Sequence, residues 1–146
     1  MNSNKDNGLS RSFENCQTRR EQLFCVKRLV TFGRTNALGS AYFAEFFAWT
    51  GEAREELLAK AGRINGISIH TSEARMKYFR ELMPLEEFEI VVWPRANRMS
   101  LSLRFFFIRG AELVAIGDQE ICLKANSELI PIPQPIADFI RQFDPI

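Results

Sequence analysis

A chain of 146 residues with 19 Lys and Arg against 18 Asp and Glu has room for one ordinary hydrophobic core and not for two. Both signs of charge are interspersed, which leaves no electrostatic footprint for nucleic acid or an anionic membrane, and no apolar run reaches the ~20 residues of a membrane helix. The three cysteines, Cys16, Cys25 and Cys122, share neither metal-ligand nor redox spacing, which suits free thiols in a reducing, cytoplasmic setting.

Residues 1–21 are rich in Asn, Ser, Arg and Glu with only Leu9 and Phe13 to bury, and read as a flexible tail ahead of a single domain over 22–146. Leu23 to Phe32 alternates as a strand, the chain breaks at Thr35-Asn36-Ala37-Leu38-Gly39, and a helix is expected from about Ser40 to Lys60, ended by Ala61-Gly62. Tyr42, Phe46, Trp49, Ala53 and Leu57 recur at helical spacing, and Phe43, Phe47 and Ala48 fill the flanks. The first turns are thus apolar nearly all round, as in a wrapped helix. From Gly66 to about Phe79 the period changes to two, with a slip near His70 to Glu73 that suggests a bulge. Phe88, Ile90 and Val92 alternate, Pro94 to Arg98 turns the chain, and Met99, Leu101, Leu103, Phe105 and Phe107 share a face. After a tight turn at Arg109-Gly110-Ala111-Glu112, Leu113 to Lys124 forms the last long strand, with Gly117 as a second expected bulge. The order expected is strand, helix, then four strands as a meander. Pro131, Pro133 and Pro135 interrupt the C-terminal stretch, and Ile136 to Phe143 is predicted as a short helix. Thirteen Phe against two Tyr and two Trp point to a dry aromatic interior or a channel for something greasy.

One helix wrapped by antiparallel strands is the hotdog arrangement. Phe32, Thr35, Asn36, Gly39, Tyr42 and Phe43 spell F-x-x-T-N-x-x-G-x-x-Y-F. With Trp49, Gly51 and Arg54-Glu55 behind them, they closely resemble the hotdog-fold thioesterases of the 4-hydroxybenzoyl-CoA thioesterase-like superfamily, and most of all those of enediyne polyketide biosynthesis. The resemblance runs from about Phe24 to Pro133, with weaker support from Tyr78-Phe79-Arg80, Pro84 to Glu87, Arg109-Gly110 and Gln119-Glu120. It implies an α+β fold, a curved five-stranded antiparallel sheet around one long central helix, and hydrolysis of an acyl or polyketide thioester borne by an acyl carrier protein or by CoA. It also implies a homo-oligomer, a dimer or a dimer of dimers such as a homotetramer. No cofactor or metal is expected. A general acyl-CoA thioesterase and a non-catalytic acyl-chain binder are the alternatives.

Thioester hydrolysis needs water delivered to the carbonyl and a donor for the developing oxyanion. Acyl-CoA members carry Asp where this chain has Asn36, and an amide is neither base nor nucleophile at neutral pH. Asn36 can hold a water or donate to the thioester oxygen, or it can be a turn residue chosen for its conformation. The resemblance implies that Arg54 supplies the electrostatic stabilisation; the plainer alternative is a surface arginine paired with Glu52 or Glu55. On a helix continuous from Ala41, Arg54 lies on the order of 20 Å along the axis, so a site combining it with Asn36 is expected to draw on two protomers. Gly39 is expected to let the helix start close to a neighbour or to expose a backbone N–H at the helix N-terminus, a ready oxyanion donor. Tyr42 and Phe46 are candidates for helix packing or for lining an acyl channel, and Glu73 and His70 are weaker candidates on the second strand. Arg75, Lys77, Arg80, Arg95 and Arg98 could meet pantetheine phosphates or an acidic carrier face, or be a solvated strand edge.

Overall fold

The computed structural model describes residues 3–62 and 65–143. Helix α1 (Ser3–Arg19) leads into strand β1 (Phe24–Leu29), helix α2 (Glu45–Ala61), strands β2 (Ile67–Tyr78), β3 (Glu87–Ala96), β4 (Leu101–Arg109), β5 (Glu112–Ala125) and β6 (Glu128–Ile130), and helix α3 (Gln134–Arg141). The antiparallel sheet has the order β1-β3-β4-β5-β2, and β6 turns back onto the end of β5. It curls as a half-barrel against α2, the hotdog arrangement expected.

The meander comprises only β3, β4 and β5. Six successive pairs from Phe24↔Val92 to Leu29↔Glu87 give β1 the free edge of β3, so β2, delivered by α2 to the far side, joins β5 instead. Pro94 lies within β3, paired with Leu103, rather than in the turn. It stands beyond Val92, the last residue paired to β1, where a missing N–H breaks no ladder bond.

The concave face carries the core. Trp49 and Phe46 of α2 meet Phe88 at 4.8 Å and Phe107 at 5.0 Å between ring centroids, with Ala53, Leu57, Ile90, Val92, Leu103 and Phe105 buried around them. Against the expectation of a helix wrapped all round, the sheet covers only the stripe Phe46, Trp49, Thr50, Ala53 and Leu57. Tyr42, Phe43 and Phe47 remain exposed, because one layer of strands can cover only one side of a cylinder.

The tail expected over residues 1–21 is largely helix. Leu9, Phe13 and Cys16 stand at i, i+4 and i+7 and lie on Val91, Phe106, Ile108 and Ile116 of the convex face; Phe13 and Phe106 are 6.4 Å apart by ring centroids. The segment is too polar to hold a helix alone, so the stabilisation comes from covering apolar sheet surface. Arg104 donates to Ser12 Oγ at 2.9 Å, and Arg20 pairs with Glu89.

The slip in β2 is a bulge: Thr71 pairs with Ile121 and Glu73 with Glu120, leaving Ser72 over. The expected bulge at Gly117 is displaced to Val114, since Phe107↔Ala115 is followed by Ile108↔Leu113. Gly117 itself pairs normally, and a Cβ there would come within 2.9 Å of the Met76 side chain packed over it.

Candidate active site

Between β1 and α2 the chain folds into a tight loop. A bridge joins Thr35 to Ala41, Asn36 N–H donates to Ser40 O at 2.7 Å, and Tyr42 N–H donates to Arg34 O at 3.0 Å. The Asn36 side chain is half-buried: its Oδ1 accepts from Leu38 N–H at 2.9 Å and its Nδ2 donates to the buried Ser40 Oγ at 3.4 Å. The first of these bonds is the Asx turn that makes Asn common in such loops. Arg34 ties the loop to α2 through Glu52 at 2.9 Å and Glu45 at 3.4 Å, with its guanidinium 5.4 Å from the Trp49 ring centroid.

Gly39 takes φ +90, where an L side chain is disfavoured. It does not play the expected part at the helix N-terminus. The helix begins at Glu45, and the Gly39 N–H already donates to Asn36 O at 3.0 Å.

Arg54 does not pair with Glu52 or Glu55 in the contacts described. Its Nη1 donates to Thr71 Oγ1 at 3.0 Å and to Gln119 Oε1 at 3.2 Å, while Nε is buried without a hydrogen-bond partner among the described residues. Thr71 is the last residue before the bulge, still in the register that faces α2. The guanidinium is therefore held against the sheet by neutral groups, and a guanidinium with no carboxylate against it can stabilise a developing oxyanion.

Asn36 and Arg54 of one chain have separate partners, and Arg54 lies roughly 13 Å along α2 from Glu45. On α2, Phe47, Gly51, Arg54 and Leu58 follow at spacings of four and three, so Arg54 shares a flank with the exposed Phe47. An open cleft of about 480 Å³ lies beside it, lined by Arg54, Glu55, Leu58, Ile67 and Ile69. The opposite flank is closed by ion pairs, including Arg28 with Glu56 at 2.9 Å.

The remaining candidates separate by face. Phe46 is buried core, in edge contact with Tyr78 at 5.0 Å, and Tyr42 is exposed against Phe43 at 4.6 Å. Tyr78 hydroxyl donates to Phe43 O at 2.6 Å, and burial raises its pKa above the ordinary 10, so it remains a donor. Because the bulge shifts the alternation, Glu73 pairs with Glu120 on the convex face and engages Arg75 at 3.2 Å. His70 pairs with Cys122, between the core residues Ile121 and Leu123, and also points outward. Neither is beside Arg54. Arg80 is paired with Glu112 at 3.0 Å. Among the described residues no group of three or more His, Cys, Asp or Glu could hold a metal ion.

The model of the thioesterase-like superfamily matches residues 30–140, which span α2 and every strand of the sheet except β1. The chain belongs to that superfamily. This thioester hydrolase is 24% identical over 126 residues to a 1,4-dihydroxy-2-naphthoyl-CoA hydrolase of Thermosynechococcus vestitus, covering 79% of this chain and 86% of the relative. To the hydrolase of the same name from Prochlorococcus marinus it is 30% identical over 105 residues, covering 62% and 70%. Its fold matches the crystal structure of the dynemicin thioesterase with a TM-score of 0.78 at 22% identity, over 85% of this chain and 99% of the other.

Proposed function

We propose that this thioesterase frees a polyketide-type acyl chain from the pantetheine arm of an acyl carrier protein, at a site assembled from two copies of the chain. The observation that carries the reading is Arg54: a half-buried guanidinium held by uncharged partners, its Nε without a hydrogen-bond partner among the described residues, on the helix flank left uncovered by its own sheet. A second copy seated along β2 and the exposed side of α2 would cover Phe43, Phe47 and Tyr78. It would also occupy the unpaired edge of β2, whose residues are exposed on both faces apart from Ile67 and Met76. Asn36 of one protomer would then face Arg54 of the other across the cleft.

In this arrangement Asn36 orients water or the thioester oxygen, Arg54 stabilises the oxyanion as hydroxide attacks, and the pantetheine thiol leaves. Asn36 in place of the carboxylate of acyl-CoA members favours the carrier-bound substrate. The second reading, hydrolysis of an acyl-CoA, is favoured by the similarity to the two 1,4-dihydroxy-2-naphthoyl-CoA hydrolases.

The test is thiol release from matched acyl-carrier and acyl-CoA thioesters, with mass spectrometry of the released acid. The first reading expects the carrier substrate to have the larger kcat/KM; a preference for CoA selects the second, and binding without thiol release refutes both. Asn36→Ala and Arg54→Ala should each lower kcat/KM by roughly 10²-fold or more, the range for losing one oxyanion donor. Wild-type rates in either variant remove that residue from the mechanism.

A further inference from the structure

Among the described residues only Ser40, Thr50 and Gln119 are polar and buried, and each of them supports a candidate site residue. Ser40 holds Asn36. Thr50 and Gln119 form a relay that ends on Arg54: Thr50 Oγ1 donates to Phe47 O at 2.7 Å, Gln119 Nε2 donates to Thr50 Oγ1 at 2.9 Å, and Gln119 Oε1 accepts from Arg54 Nη1 at 3.2 Å.

The relay has a direction. Phe47 O can only accept, so it takes the Thr50 proton; Thr50 is left with lone pairs and must accept, which turns the Gln119 amide nitrogen towards it. The Gln119 oxygen is thereby committed to Arg54. Gln119 is 7% exposed, and burying an amide is costly unless both ends are bonded, so reversing it would leave two groups unsatisfied. A carboxylate at this position would also accept from Arg54, but it would cancel the guanidinium charge and have no proton for Thr50.

We propose that Gln119, oriented by Thr50, is the positioning residue for Arg54: it fixes Nη1 against the sheet, holds the rest of the guanidinium at the cleft that Arg54 lines and leaves the positive charge intact. This rests on the reading that Arg54 stabilises the oxyanion, and deepens it.

The experiment is a double-mutant cycle on the full-length protein, with octanoyl-CoA, benzoyl-CoA and the octanoyl thioester of N-acetylcysteamine as probes. Gln119→Leu should lower kcat ten- to a hundredfold with KM within twofold and the oligomer unchanged. In an Arg54→Ala background the same change should alter the residual rate less than twofold, because positioning has nothing left to position. Thr50→Val, nearly isosteric, breaks the relay one bond further away and should give a several-fold loss that also vanishes without Arg54; it serves if Gln119→Leu does not fold. Nitrogen NMR gives a readout besides turnover: the Arg54 guanidinium hydrogens should exchange positions slowly in the parent protein and rapidly in Gln119→Leu. Equal losses in both backgrounds, an undiminished kcat or an unchanged guanidinium spectrum overturns the inference alone. A fully active Arg54→Ala enzyme overturns it together with the reading beneath it.

Discussion

Phe43→Ala/Phe47→Ala is the most direct probe of the paired site. Phe43 is 58% and Phe47 36% exposed in the single chain. With about 200 Å² for a buried aromatic side chain, the two leave roughly 190 Å² of ring surface in water per protomer. Covered by a partner at about 25 cal/mol per Å², this is worth ~5 kcal/mol per protomer, and a two-fold pair counts it twice. Retaining less than half, for surface that stays wet and for ordering costs, leaves ~4 kcal/mol per dimer, about a thousandfold in dissociation constant. Sedimentation equilibrium of parent and variant measures this directly, and thiol release at the same concentrations should fall with the dimer fraction. The protomer's own unfolding midpoint should barely move, since both rings lie outside its core. A parent that sediments as a monomer at micromolar concentration, or a variant whose dissociation constant stays within tenfold, refutes the reasoning.

Gly51→Ala should raise protomer stability by up to ~1 kcal/mol, the helix-propensity difference, because nothing lies within 4 Å of the added Cβ; a lower midpoint in thermal unfolding would mean that a partner helix fills that space. Glu89 is held below the ordinary carboxylate value of 4.5, first by its hydrogen bond from Arg20. A lowered carboxylate stabilises the fold above its unfolded pKa, and that contribution is lost as pH falls through the folded value. The advantage of the parent over Glu89→Gln in urea unfolding should therefore be constant near neutrality and fade below pH 4.5. Cys16 is fully buried between α1, which carries it, and the convex face of the sheet, and burial pushes its thiol up to about 12, so iodoacetamide should leave it unmodified at pH 7.5. Phe13→Ala should loosen α1 and admit the reagent at least tenfold faster, as seen by peptide mass spectrometry.

Much of the site could be read along the chain. The Asn36 loop, the helix carrying Arg54, the slip between Thr71 and Glu73 and the hairpin strands are local patterns, fixed by turn chemistry and by periods of 3.6 and 2. The relay residue Gln119 carried only a faint signal, a polar side chain at an inward position of an alternating strand, because its meaning depends on Thr50 and Arg54 across the core.

Sequence by itself determined the succession of elements from β1 to β5, the inward faces of β3 to β5 and the family, since each rests on neighbours a few residues apart. Tertiary structure decided the rest. It placed β2 on the far edge because β1 had taken β3, and it turned Glu73 outward by one bulged residue. It held Arg54 by strand residues rather than by Glu55, and it made a helix of the polar N-terminal segment by offering it an apolar sheet face. In each case contacts between distant parts of the chain outweighed the local preference, and pattern reading reports only the local preference.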